Sequence, residues 1–61
     1  MIKIMIVDDE EEILNSIFRF LSEKLPQYEY IKTTSSRQAR EILKTDMIDI
    51  LITDIKMPHW D

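Results

Sequence analysis

Glycine and cysteine are both absent from the 61 residues, and each absence excludes a class of site. Without glycine there is no G-x-G-x-x-G dinucleotide fingerprint and no glycine-rich Walker loop. Without cysteine there is no disulfide and no cysteine-based metal site. Tight turns and helix ends favour glycine, so its absence also leads us to expect a fragment whose glycine-bearing loops lie beyond residue 61.

Basic residues are the minority among the charged side chains. Eight Lys and Arg stand against twelve Asp and Glu, a formal net charge of −4. No basic stripe is available to displace counterions, so we expect no direct contact with nucleic acid. The apolar runs are too short for a membrane span. Residues 1–7 are apolar but meet acidic residues at once and lack a small-residue cleavage site, unlike a signal peptide. We therefore expect a cytoplasmic protein without membrane contact.

The apolar pattern predicts one small domain with the element order β-α-β-α-β. Strand one covers Ile2 to Val7 and is apolar on both faces apart from Lys3, which is typical of a central parallel strand. Helix one covers about Glu11 to Lys24, where apolar residues recur at helical spacing after an acidic first turn. Pro26 ends this helix.

The middle of the chain is more polar. Residues Tyr28 to Thr33 mix polar and apolar side chains, which predicts a half-exposed edge strand. Ser35 or Ser36 is expected to cap a second helix, since Ser35 and Gln38 have the spacing of a capping box. A third strand is predicted to begin near Ile48.

The strand order follows from the connections and from the apolar content. Helical crossovers require parallel strands and right-handed connections. Strand one is more apolar than strand two, so we place it in the centre and predict the order 2-1-3. The gap between strands one and three is then the switch point of a doubly wound parallel α/β sheet, where such sheets bind ligands. Asp8 and Asp9 end strand one and Asp54 ends strand three, so these three carboxylates are predicted to converge there.

Three carboxylates at one edge of a sheet repel one another unless one takes a proton or a cation binds. The oxygen ligands fit Mg²⁺, which accepts one or two carboxylates together with water and phosphate. Zinc fits poorly, because cysteine is absent and His59 has no second histidine. Once a cation neutralises the cluster, an aspartate could serve as a covalent phosphoryl acceptor.

The aspartates also have a structural interpretation. Asp8 and Asp9 could cap helix one, since Asp is a favoured N-cap residue. Taken alone that interpretation is favoured, but with Asp54 in register the metal site is favoured, and the two roles are compatible. Asp46 and Asp49 lie at the opposite, amino end of strand three and are expected to be turn residues.

Two short motifs in this arrangement resemble the receiver domain of two-component response regulators. They are Asp8-Asp9-Glu10 after strand one and Asp54-Ile55-Lys56-Met57-Pro58 at the end of strand three. The family has an acidic pair at the first place and, at the second, an aspartate followed three residues later by Met-Pro. The resemblance covers all 61 residues but only about half of a receiver domain. It implies a flavodoxin-like doubly wound sheet, with residues 1–61 as the N-terminal half that ends just after strand three.

The resemblance also implies the role of each site residue. Asp54 is expected to be the phosphoacceptor, and Asp9 and Asp54 to bind Mg²⁺ directly with the Lys56 backbone carbonyl as third protein ligand. Asp8 is expected to act mostly through water. The phosphoryl group is expected from a histidine kinase or a small-molecule phosphodonor, in phosphorelay signalling rather than enzymatic turnover. The parent protein is expected to carry an effector domain, such as a DNA-binding output domain.

The chain also departs from the family pattern. It stops at Asp61, before the family's usual glycine, and lacks the Ser/Thr of strand four and the Lys of strand five that contact the phosphoryl oxygens. The alternative is an inactive folding and association unit that dimerises through strand three or the uncovered sheet faces. A metal-dependent phosphatase with Asp54 as nucleophile is disfavoured, because such enzymes usually have a second Asp where this chain has Lys56.

Overall fold

A computed structural model describes residues 1–53 of the chain. The elements follow one another in the predicted order: β1 (Lys3–Val7), α1 (Glu11–Lys24), β2 (Glu29–Thr33), α2 (Ser36–Thr45) and β3 (Ile50–Thr53). The strands begin one or two residues later than predicted, a difference that is common at element ends. Neither helix of this part of the chain is long and apolar enough to cross a membrane.

The three strands form one parallel sheet in the order β2-β1-β3. This confirms the predicted order of the strands and their flavodoxin-like arrangement. Strand β1 lies in the centre because it is the most apolar strand, and residues Ile4 to Val7 are all at most 3% exposed. Strand β2 lies at one edge and exposes Glu29 and Lys32, as predicted for a half-exposed strand.

The two helices cover opposite faces of the sheet, because successive residues of β1 point to opposite sides. Ile4 and Ile6 pack with Leu14 of α1 on one face. Met5 and Val7 pack with Ala39 of α2 on the other. The core therefore lies on both sides of β1. This packing fixes the position at which β1 ends and the acidic loop, Asp8-Asp9-Glu10, begins.

The first turn of α2 is capped as the spacing of Ser35 and Gln38 predicted. The Gln38 N–H donates a hydrogen bond to Ser35 Oγ at 3.1 Å. The Gln38 side chain does not return the bond as in a full capping box. Instead Gln38 Oε1 accepts from Thr33 Oγ1 at 2.7 Å, and the Ser35 N–H donates to the same hydroxyl at 3.1 Å. The start of α2 is thereby joined to the end of β2.

Two aspartates hold the amino end of the sheet together. The Lys3 N–H donates to Asp49 Oδ2 at 2.8 Å, and the Asp49 N–H donates to the Lys3 carbonyl at 2.9 Å. Lys3 Nζ lies 3.8 Å from Asp46 Oδ2. Both aspartates lie at the end of the sheet away from Asp8, as predicted. They are more than turn residues, however, because they attach the start of β1 to the segment before β3.

Tyr30 on β2 anchors the end of α1. Its hydroxyl has one proton, which lies between the Leu25 carbonyl oxygen, 2.6 Å from the hydroxyl oxygen, and the Leu21 carbonyl oxygen, 3.0 Å from it. The Leu21 carbonyl already accepts the Leu25 N–H at 2.7 Å, so Tyr30 adds a side-chain bond to the last turn of α1 and to the residue that follows it. The Tyr30 ring meets the Phe18 ring edge-on, with centroids 5.8 Å apart. Desolvation, with a smaller contribution from Tyr28, raises the pKa of Tyr30 above its ordinary value.

The Tyr30 contact predicts a pH-dependent stability. Because the folded state raises the pKa, it favours the neutral hydroxyl, and this stabilisation is complete below the unfolded-state value of about 10. It is lost as the pH rises through the folded-state pKa. Tyr30→Phe should lower the urea midpoint at neutral pH and lose less stability than the unsubstituted chain above about pH 10. Tyr28→Phe is the control and should keep most of the steeper loss, because desolvation is the larger cause of the raised Tyr30 pKa and Tyr28 the smaller one. Equal slopes for Tyr30→Phe and the unsubstituted chain would contradict the prediction.

Candidate functional site

The acidic loop follows the central strand directly. Val7, the last residue of β1, is level with Thr33 of β2 on one side and with Thr53 of β3 on the other. The residue after Val7 is Asp8, and the residue after Thr53 is Asp54. Strands β1 and β3 are therefore paired up to Val7 and Thr53, the residues that precede Asp8 and Asp54. Asp54 lies outside the described residues, as does Lys56, so the convergence of the carboxylates stays a prediction.

Asp8 is held by both its main chain and its side chain. It is 7% exposed, which is low for a carboxylate. Its N–H donates to the Thr33 carbonyl at 3.2 Å, and its Oδ1 accepts from the Glu10 N–H at 2.9 Å. The side-chain bond to the residue two positions on is an Asx turn, which holds the carboxylate in one orientation. Asp8 is thus a fixed carboxylate at the end of the central strand.

Asp9 differs from Asp8 in its surroundings. It is exposed, and its carboxylate makes no hydrogen bond or ion pair with residues 1–53. An oriented carboxylate beside an exposed one suits a hard cation that retains several waters, and Mg²⁺ is such a cation. Within residues 1–53, no three His, Asp or Glu side chains form a group that could hold a metal ion. The described chain thus contains only Asp8 and Asp9 of the predicted ligands.

The interpretation of Asp8 as the helix cap needs correction in detail. The N-cap residue of α1 is Glu10, which makes no side-chain capping bond. Asp8 bonds to the Glu10 N–H, one position ahead of the first helical residue. Glu11 and Glu12 in the first turn face the positive end of the helix dipole. Asp8 therefore shapes the turn into α1 and does not cap the helix itself.

Two threonines beside the strand end were not singled out from the sequence. Thr33 is 6% exposed, and its hydroxyl bonds to Ser35 and Gln38. The Thr53 hydroxyl is buried and has no hydrogen-bond partner in the described part of the chain. No sequence motif marks either residue. What distinguishes them is that both are level with Val7, and this depends on the strand register.

An open cleft of about 360 Å³ lies beside the acidic loop, on the β2 side. Its lining comes from α1, the end of β2 and the start of α2: Glu11, Leu14, Asn15, Lys32, Thr33, Thr34 and Gln38. Lys32 Nζ donates to Asn15 Oδ1 at 2.7 Å and lies 4.5 Å from the centre of the Phe18 ring. This lysine therefore ties β2 to α1. Asp8 and Asp9 are not part of the lining, so the cleft is separate from the candidate metal site.

The parallel β2-β1-β3 sheet and the acidic loop after its central strand define a doubly wound α/β domain with a polar site at the switch point. Comparison with known protein families matches residues 4–61 to the response regulator receiver domain. The chain belongs to the response regulator receiver domain family. Comparisons with curated proteins and with solved structures gave no match. Membership implies a phosphoacceptor role in two-component signalling, and receiver domains generally bind Mg²⁺ for phosphorylation.

Proposed function

We propose that this chain is a Mg²⁺-dependent phosphoacceptor that receives a phosphoryl group on Asp54. The observation that carries the proposal is the geometry at the end of β1. Asp8 is buried and oriented there, and Val7 before it is paired with Thr53, the residue that precedes Asp54. In a parallel sheet, side chains that follow paired residues at the carboxyl ends of neighbouring strands share one edge. We propose this edge as the location of the acceptor and of the metal.

The proposed ligands are Asp8, Asp9, Asp54 and the backbone carbonyl of Lys56. All of them are oxygen ligands, which is the set that Mg²⁺ prefers. Bound Mg²⁺ supplies positive charge that offsets the repulsion between the carboxylates and neutralises the phosphoryl oxygens. Asp9 offers an exposed carboxylate, and Asp8 offers a fixed one that we propose acts mostly through water.

The transfer itself needs one nucleophile and one leaving group. A carboxylate oxygen of Asp54 forms a bond to phosphorus while the bond from phosphorus to the donor breaks. In a histidine kinase the leaving atom is a histidine ring nitrogen, and in an acyl phosphate it is a carboxylate oxygen. The product is an aspartyl phosphate, which makes the chain a phosphorylated partner of the donor rather than a turnover enzyme.

The test is intact mass spectrometry of the chain after incubation with Mg²⁺ and a small acyl phosphate. We expect a single phosphoryl adduct. Chelating the metal should slow its formation more than about 100-fold, because a cation contributes several kcal/mol of charge stabilisation. Equal labelling rates with and without the chelator would contradict the role of the metal. Release of phosphate without any covalent adduct would favour a hydrolase instead.

The exposure of β3 favours a second candidate function, which is self-association. Within the described residues β3 pairs with β1 on one side only. Ile50 is 44% exposed and Leu51 is 38% exposed, and as successive strand residues they lie on opposite faces. Met47, just before the strand, is 88% exposed. An apolar, unpaired strand edge is a template for pairing with another chain. We propose that two copies pair antiparallel through β3 across a twofold axis.

A further inference from the structure

Thr33 joins three parts of the chain. Its carbonyl accepts the N–H of Asp8 at 3.2 Å. Its hydroxyl accepts the N–H of Ser35 at 3.1 Å and donates to Gln38 Oε1 at 2.7 Å. Because Thr33 is only 6% exposed, water competes little with these bonds. The end of β2, the start of α2 and the acidic loop are thus connected through one residue.

We propose that Thr33 is a positioning residue for the candidate magnesium site, and that it acts by holding the main chain of Asp8. This inference rests on the metal site proposed above. The Asp8 carboxylate is oriented by the Glu10 N–H at 2.9 Å, and the Asp8 main chain is oriented by the Thr33 carbonyl. The first bond restrains the side chain of Asp8 and the second restrains its main chain.

The Thr33 hydroxyl is needed to hold the end of β2 because β2 is an edge strand. Thr33 is its last residue, and in the described part of the chain β2 has a paired neighbour only on the β1 side. Strand ends with few partners open readily. The bonds from the hydroxyl to Ser35 and Gln38 provide a restraint on the other side. Gln38 is in turn bonded to Ser35 through its N–H, which closes a small ring at the start of α2.

A purely structural role would be limited to satisfying the N–H of Ser35 and anchoring α2. That role predicts a loss of stability without a change in metal affinity in the molecules that remain folded. The positioning role predicts weaker metal binding as well, since groups that orient metal ligands typically change affinity by 10–100-fold when they are removed. The two roles therefore differ in the metal affinity of the folded chain.

The experiment measures the Mg²⁺ dissociation constant by calorimetric titration of the full chain, with folding checked by circular dichroism. Thr33→Val keeps the shape of the side chain and removes the hydroxyl, and we expect it to weaken Mg²⁺ binding about tenfold. Thr33→Ser retains a hydroxyl and should restore the original affinity. Thr45→Val is the matched control, because within residues 1–53 the Thr45 hydroxyl bonds only to the carbonyls of Glu41 and Ile42 at the far end of α2.

A second variant keeps the test decisive if Thr33→Val does not fold. Gln38→Met removes the acceptor of the Thr33 hydroxyl and should weaken Mg²⁺ binding in the same direction. Unchanged Mg²⁺ affinity in the folded Thr33→Val variant would overturn the positioning role and leave the proposed metal site standing. If Thr33→Val does not fold, unchanged affinity in Gln38→Met would have the same consequence. Absence of Mg²⁺ binding by the unsubstituted chain overturns the proposed metal site, and the positioning role with it.

Discussion

Asp54→Asn should abolish the phosphoryl adduct that the chain forms with Mg²⁺ and an acyl phosphate. The amide has nearly the same shape as the carboxylate but has no anionic oxygen to attack phosphorus. It also removes one negative charge from the proposed metal ligands. Loss of a covalent nucleophile lowers rates by several orders of magnitude, so no adduct should be detected. Intact mass spectrometry of both chains at matched times measures the change.

The control for this substitution is Asp46→Asn. Asp46 lies at the amino end of the sheet, where its only ion pair is with Lys3 at 3.8 Å among the described residues. The change of charge is the same, but this carboxylate is at the wrong end of the strands to act as acceptor. We expect full labelling of this variant. Asp54→Asn labelled as fast as the unsubstituted chain would show that the acceptor lies elsewhere.

Leu51→Lys should convert the proposed dimer into a monomer. Pairing through β3 would bring the new ammonium group into an apolar interface without a counter-charge. An unpaired buried charge costs several kcal/mol, so the dimer dissociation constant should rise by about 100-fold or more. Sedimentation equilibrium over a range of protein concentrations measures this constant. Leu51 is 38% exposed in the single chain, so the substitution is expected to leave the fold of the monomer in place.

Gln27→Lys is the matched variant for self-association. Gln27 is exposed in the turn before β2, and its replacement makes the same change in net charge away from β3. We expect it to dimerise like the unsubstituted chain. A chain that stays monomeric at every concentration would rule out pairing through β3, and so would a Leu51→Lys variant that dimerises unchanged. Together with the adduct measurement, these results separate a phosphoacceptor from an association unit.

Most of the fold could be predicted from short stretches of sequence. Helix α1 covers Glu11–Lys24, as predicted, because its apolar spacing, acidic first turn and following Pro26 are all local signals. The Ser35 cap was predictable for the same reason. The strand order needed one further step, which was to compare the apolar content of β1 and β2. It was predictable because connection rules leave few arrangements for β-α-β-α-β.

Contacts between distant residues were not predictable in this way. Just before β3, Asp49 is hydrogen-bonded to Lys3, 46 positions earlier in the chain. The hydrogen bonds of Tyr30 to the end of α1 likewise join separate elements. Neither contact is visible in local composition, since each depends on how the elements pack.

The candidate site likewise has features that were predictable from the sequence and features that depend on packing. The sequence by itself determined the acidic residues Asp8 and Asp9 at the end of a central strand, because an apolar run that stops at carboxylates is a local pattern. Only the tertiary structure decided that Asp8 is buried, that its N–H bonds to the Thr33 carbonyl and that the Thr33 hydroxyl bonds to Gln38. The physical reason is that burial and hydrogen-bond partners depend on strand register and on the placement of helices, which form only when the whole sheet is packed.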